Sequence, residues 1–315
     1  MVGDREDLSA TYVGWLARRR GGEVLDLPED RFGVDWGFSV TEDGRDVIDL
    51  DGRTLELAEL DGAFVRLNPR PPLPPELALS EELASVYAIE RRYALHWLLD
   101  HAPFRVVNRP SCGRSNGSKP FQMAMLAKAG FRVPPWLVTN APAAARSFIA
   151  AAPHGAVYKA CSGLRSRVRL IDAALGKRLE RGTTPVVLQH YVPGEDVRVH
   201  VVGSRTFATR VSAPGIDYRF ESDSAHYEPN SVPDDVARLC VAFAQEEGLD
   251  LAGLDFRRDP DGEWWCLEAN PVPTFLPYEA GSGQPIGDAI LDLMAPGEEV
   301  RAEVSPLAAL YAGGA

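Results

Sequence analysis

The run Leu254-Asp255-Phe256, then Asp259-Pro260-Asp261-Gly262, then Trp265-Cys266-Leu267-Glu268-Ala269-Asn270-Pro271, constrains this chain more than any other. Asp, Pro and Gly between two apolar, aromatic-rich stretches signal a hairpin. Side chains alternate between faces along a strand. A turn of even length pairs position 255 with 266 and leaves 268 one diagonal step away on the same face. Asp255, Glu268 and Asn270 then share one face, while Leu254, Phe256, Trp265 and Leu267 fill the other. Two carboxylates and an amide oxygen over an apolar floor form a hard, oxygen-only site of the kind that shares Mg²⁺ with substrate phosphates. The competing reading is a surface hairpin whose polar face is simply wet. An odd-length turn would split the shared face.

The rest of the chain bounds the answer. Its 315 residues provide enough length for one large domain or two to three smaller ones. A net charge of −12 argues against a nucleic-acid partner, which needs a basic footprint. Cys112, Cys161, Cys240 and Cys266 are scattered, with no zinc-ligand spacing, and read as reduced thiols. No segment reaches the roughly 18 unbroken apolar residues of a membrane span, and Met1 to Asp7 lack a signal-peptide layout. A cytoplasmic protein with no membrane partner is the expectation.

Periodicity predicts helices over 8–20, 80–100, 119–129, 142–151 and 233–247, with β structure over 34–67 and 185–211. Arg70-Pro71-Pro72-Leu73-Pro74-Pro75 reads as a stiff linker. Strict β-α-β alternation is absent, which favours an α+β fold with a more layered N-terminal part. Trp15, Trp97 and Trp136 read as core.

Lys119 opens a predicted helix, and Lys159 lies in an apolar strand, where a lysine is costly unless it faces an anion or water. Arg165, Arg167 and Arg169 concentrate positive charge in an acidic chain and would attract phosphate or carboxylate, or else form a solvated basic face. Neither G-x-x-x-x-G-K-[ST] nor G-x-G-x-x-G occurs, which excludes the nucleotide folds that carry those fingerprints. The apolar strand Val186-Val187-Leu188-Gln189-His190-Tyr191-Val192 ends in Pro193-Gly194-Glu195-Asp196, where main chain can meet an adenine edge and a carboxylate a ribose.

Lys119, Lys159, Gln189 to Val192, Asp196-Val197-Arg198, Arg210, Asp255 and Glu268-Ala269-Asn270 occur in the order seen in ATP-grasp enzymes. The chain resembles their RimK-like branch, which holds glutamate ligases and the synthetases that macrocyclise ribosomal peptides, over about residues 105–295. Asn108-Arg109-Pro110, Asn116 to Pro120, Asp217-Tyr218-Arg219, Asn270 to Pro273, Tyr278-Glu279 and Gly283 to Ile286 resemble one subgroup of it. The resemblance implies an α+β ATP-grasp fold of two subdomains sandwiching ATP: an N-terminal pre-ATP-grasp domain over 1–105, a subdomain over 106–190 and a C-terminal subdomain over 191–315.

It also implies ATP and Mg²⁺ as cofactors, the metal as two ions, with Mn²⁺ the alternative. Lys119 and Lys159 would hold the phosphates, and Gln189, His190, Tyr191 and Val192 would line the adenine through the main chain. Glu195 or Asp196 would take the ribose, and Arg210 would stabilise the γ-phosphate. Asp255, Glu268 and Asn270 would hold the metal. A two-residue turn at Gly203-Ser204 would aim Arg198 and Arg210 in opposite directions, and Arg210 is the preferred one. Arg165, Arg167 and Arg219 are candidates for the acyl substrate, and Asp217 either orients Arg219 or contacts substrate. Arg210 and Lys159 are the candidate catalytic residues.

The implied chemistry is an ATP-dependent ligase that joins a carboxylate to an amine or hydroxyl through an acyl phosphate. A phosphotransferase on the same fold and a non-catalytic ATP-binding regulatory protein are the alternatives. Partners would be a peptide, a protein tail or an amino acid, and a homo-oligomer.

Overall fold

Residues 1–42, 44–68, 73–74, 77, 79–162, 168–172, 184–215 and 224–295 are described in a computed structural model. The N-terminal region is built on a parallel sheet in the order β2-β1-β6-β7, with β1 Val2–Gly3, β2 Leu27–Pro28, β6 Gly62–Arg66 and β7 Arg105–Val107. Helix α1 (Leu8–Arg19) starts where Asp7 accepts the Ala10 N–H and stops after Arg18 and Arg19, so its cap and charges follow the helix dipole. An antiparallel meander, β3 (Trp36–Ser39), β4 (Val47–Leu50) and β5 (Arg53–Glu56), leaves that sheet and returns before β6. The β structure expected over 34–67 is thus divided between two sheets.

Helix α2 (Glu81–His101) packs Leu95, Leu98 and Leu99 into a core with Val2, Phe32, Trp36, Ile48, Val65 and Val106. Its other face carries Leu83, Val86, Ile89, Tyr93 and Trp97, with Trp97 43% exposed and stacked on Phe38 and His101. Trp136 is 36% exposed, and Trp15 is only partly buried against Tyr12 and Arg19. The expectation that these tryptophans are core is corrected. Apolar spacing marks a stripe along a helix but not what covers it.

Two further sheets follow. One is antiparallel in the order β10-β9-β11-β8, with β8 Trp136–Thr139, β9 Ala156–Lys159, β10 Arg169–Leu170 and β11 Val186–His190. The other runs β14-β13-β12-β15-β16, with β12 Glu195–Val202, β13 Arg205–Ser212, β14 His226–Asn230, β15 Leu251–Arg258 and β16 Trp264–Asn270. Between hinge and β12, Gly194 has φ +136°, and a side chain there would run into the Arg258 carbonyl.

Helices α3 (Lys119–Lys128) and α5 (Asp234–Glu246) cover one face of the five-stranded sheet, and α4 (Pro142–Ala150) contacts the β8 and β11 strands of the four-stranded antiparallel sheet. Leu126, Phe131, Phe243 and Ala244 join Val197, Val199, Leu254 and Phe256 in one core. β7 straddles 105/106 and pairs with β6 of the N-terminal sheet, and α3 packs on β16 of the C-terminal sheet while its Met123 meets Gln189 of β11. Helices α6 (Leu276–Ser282) and α7 (Ile286–Met294) close the molecule, and Phe275, Ile286 and Ile290 pack against Tyr12, Val13 and Leu16 of α1. No helix among the described residues is long and apolar enough to cross a membrane.

Glu29, 3% exposed, accepts the Asn68 N–H at 2.8 Å. Burial pushes its carboxyl up to about 7, with Asp4 and Asp30 adding to the effect and Arg91 opposing it. A carboxyl raised in the folded state is penalised as pH climbs from its unfolded value to its folded one. Glu29→Gln is therefore expected to exceed the parent in stability by about 1–3 kcal/mol at roughly pH 8 and to lose that advantage near pH 4.5. Denaturant unfolding of both proteins at the two pH values checks this, and a pH-independent difference would refute it.

Candidate active site

The hairpin of β15 and β16 reaches the predicted arrangement by a different route. Arg258 pairs with Trp264, so the loop spans 259–263 and has an odd length. Asp259 holds it, accepting the N–H groups of Asp261 and Glu263 and the Trp265 Nε1–H. By itself that loop would put Asp255 opposite Leu267 and send Glu268 to the far face. Leu267 is instead the extra residue of a β-bulge: Phe256 pairs with Cys266 and Asp255 directly with Glu268. The bulge restores the parity that the odd turn breaks. Asp255 and Glu268 share a face, with Asn270 opposite Gly253 beside them. The apolar floor is corrected to Leu254, Phe256, Cys266 and Ala269, while Trp265 lies opposite Arg257 on the acid face. Cys266 is fully buried packing, and burial holds its thiol far above the usual range.

A cation meets each acid. Arg198, 5% exposed, stands opposite Asp255 across β12 and β15 and bridges it at 2.8 Å, while its guanidinium lies over the Tyr278 ring. Lys119, at the first turn of α3, bridges Glu268 at 3.1 Å. Gln122, one helical turn on, donates to the Ala269 carbonyl at 2.6 Å and accepts the Ala269 N–H at 3.0 Å. Its amide thus occupies the open side of edge strand β16 next to Glu268 and locks α3 to the hairpin. Sequence reasoning missed Gln122; its place one turn after Lys119 in α3 was the available signal.

Lys159 ends β9 and is 6% exposed. Its register partner is Val187, so it shares a sheet face with Val157 and Gln189, and Gln189 reaches Met123 of α3. That face points at the helix carrying Lys119. Lys159 is near enough to Cys266 for its charge to oppose those of Asp255 and Glu268 at the buried thiol. Both lysines and both acids therefore converge from two sheets and one helix. The Lys119 N–H donates to the Cys161 carbonyl, tying the helix start to the loop after β9.

The hinge is already engaged. The His190 N–H bonds the Pro135 carbonyl, the Tyr191 N–H bonds Gly155, and the Val192 carbonyl accepts from Arg257. The His190 ring packs onto Phe148, 4.6 Å between centroids.

Alternation separates Glu195 from Asp196. Asp196 lies on the Arg198 face and bonds Arg257, whereas Glu195 lies on the opposite face with Arg210 and Arg258. The turn between β12 and β13 has two residues, as expected. Arg210 stands opposite Val197, away from Asp255, and pairs with Glu195 and Glu228. Arg198 lies on the acid face opposite Asp255, with Arg257 two residues along the same face. Arg165, Arg167, Asp217 and Arg219 lie outside the described residues.

No family model matches the chain, and no curated protein matches it. Solved structures do. The ATP-grasp ligase PsnB complexed with a minimal precursor is 29% identical, with 93% of this chain and 96% of that one covered at a TM-score of 0.79. The chain has the ATP-grasp fold. A Chryseobacterium gregarium RiPP-associated ATP-grasp ligase, in complex with ADP and a leader and core peptide, is 19% identical over 93% of this chain and 95% of its own, at TM-score 0.80. The macrocyclase MdnC from Microcystis aeruginosa MRC, bound with precursor peptide MdnA, is 19% identical over 93% and 98%, at 0.78. The last two support the fold alone. That fold accounts for the two antiparallel sheets, one carrying Lys159 and the other the acid pair, with the parallel sheet ahead of them in the chain.

The donor set fits a metal held jointly with phosphates. Among the described residues no three His, Cys, Asp or Glu side chains gather to form a closed cage. Asp255 and Glu268 supply two hard oxygens from adjoining strands, and Mg²⁺ held by one or two carboxylates takes its other ligands from phosphate and water.

Proposed function

We propose that this chain is an ATP- and Mg²⁺-dependent ligase joining a carboxylate to an amine or hydroxyl on a peptide substrate. The observation that carries the reading is the facing pair Asp255 and Glu268, each matched to a cation, Arg198 or Lys119, beside Lys159 from the opposite sheet. That pairing is a set of exchangeable partners. With Mg·ATP bound, Asp255 and Glu268 would hold the metal and Arg198 and Lys119 would be left to bind phosphate, which keeps the charge balanced.

Lys119, Lys159 and Arg198 would bind and orient the phosphates, and Asp255, Glu268 and Asn270 would hold Mg²⁺, which neutralises phosphate charge. Asp196 is the ribose candidate, since Glu195 lies on the other face. The substrate carboxylate oxygen attacks the γ-phosphorus and ADP leaves. The amine or hydroxyl then attacks the acyl carbon, loses its proton, and phosphate leaves with the C–O bond. Such phosphoryl transfer needs positioning and charge stabilisation rather than a protein nucleophile, and the buried Cys266 offers none.

A peptide substrate is favoured because PsnB, 29% identical over 93% of the chain, was solved with a minimal precursor. The test is incubation with ATP, Mg²⁺ and peptides carrying acidic side chains together with Ser, Thr or Lys. ADP and phosphate should appear only with such a peptide present, with loss of one water from the peptide per bond. A stable phosphopeptide would establish a kinase instead, and nucleotide binding without turnover a regulatory protein.

A further inference from the structure

The metal end of the hairpin is held from outside the ATP-grasp sheets. Past Asn270 the chain runs Pro271-Val272-Pro273, and the carbonyls of all three accept from side chains rooted in or just past the N-terminal sheet. Asn108, directly after β7, donates to the Pro271 carbonyl at 2.5 Å and the Leu251 carbonyl at 2.6 Å, and accepts the N–H groups of Asp250 and Leu251. Arg66, the last residue of β6, donates through one Nη1 to the carbonyls of Val272 and Pro273, at 3.1 and 3.0 Å. Its Nε bonds Asp7 at 2.9 Å, and the pair is 10% and 20% exposed. Asp7 is itself the N-cap of α1, its second oxygen taking the Ala10 N–H.

Val272 is the connecting residue. Its carbonyl is fixed by Arg66, and its N–H donates to Asn270 Oδ1 at 2.9 Å. Whatever sets Val272 therefore sets the side chain of Asn270. Flanking prolines have restricted φ and no N–H, so Val272 carries the only backbone donor of the Pro271–Pro273 segment, and the three carbonyls take their donors from these incoming side chains. Pro273 in turn packs against Gly253, where a side chain would collide with Pro273 and the Arg198 guanidinium.

We propose that Arg66 is a positioning residue for the metal end of the site, acting through Val272 on Asn270 and held by Asp7, so that the N-terminal domain tunes Mg²⁺ affinity. Arg66 touches neither metal nor nucleotide in this scheme. Outer groups that orient ligands change metal affinity by about 10–100-fold when lost. The proposal rests on the Mg·ATP reading given above.

The test measures ADP binding by calorimetry as a function of Mg²⁺ concentration, without turnover. Arg66→Lys keeps the charge but cannot hold Asp7 and two carbonyls in one planar fork. Its Mg²⁺ midpoint should rise about 5–30-fold while ADP affinity at saturating Mg²⁺ stays within about twofold. Asp7→Asn, which keeps a good N-cap, should shift the midpoint the same way by less, and it decides the matter if the lysine variant fails to fold. Midpoints unchanged in a folded variant overturn the proposal. A parent protein whose ADP binding ignores Mg²⁺ overturns the functional reading itself, a result visible before any variant is made.

Discussion

Asp255→Asn is expected to stay folded and to lose ATP turnover by at least about 10³-fold. Asp255 is 7% exposed and bridges Arg198 inside the sheet face. Asn keeps the volume and one acceptor for the guanidinium but removes the charge that a divalent cation needs. Asp255→Ala should do something worse, because it leaves a buried arginine without its carboxylate, at a cost of about 3–5 kcal/mol. Thermal unfolding alongside ADP release separates the two effects. An Asn variant that turns over within tenfold of the parent would remove Asp255 from the site.

The second large effect concerns the lysines, which differ in what they touch. Lys159→Met keeps an unbranched stem in a strand position that is 6% exposed while deleting the charge. ADP affinity should fall about 10–100-fold, the value of one or two charge-assisted hydrogen bonds, with a larger loss in turnover. Lys119→Met should weaken ADP similarly. It also removes the cation 3.1 Å from Glu268, so Mg²⁺ no longer competes with an ammonium there. Its Mg²⁺ midpoint should therefore drop, whereas that of Lys159→Met should stay level or rise. Calorimetry over a Mg²⁺ series distinguishes them, and identical behaviour would mean that the Lys119–Glu268 pair is not exchanged for metal.

Much of this was legible in the residues. The helix starting at Lys119, the strand ending at Lys159, the two-residue turn at Gly203-Ser204 and the acid-bearing hairpin all follow from local pattern, because turn chemistry, capping and alternation act over a few residues. The ordered motif set carried the ATP-grasp resemblance, and the matched structures agree with it.

The errors have one origin. Arg198 and Arg210 alternate in any strand reading, but which face meets the acids depends on how β12 pairs with β15, a contact between residues some sixty positions apart. The core assignment of Trp97 failed at that range, and neither the faces taken by Arg198 and Arg210 nor the packing of α3 on β16 was legible there. Sequence by itself determined which side chains exist at what spacing, and so the chemistry on offer: two lysines, two acids and an amide in family order. Tertiary structure decided their meeting. An odd turn and the bulge at Leu267 cancel to bring Asp255 and Glu268 together, and Asn108 and Arg66 reach across from the N-terminal sheet to hold the loop after Asn270. Register and inter-domain hydrogen bonds are set by packing over the whole chain, and no short window of residues contains them.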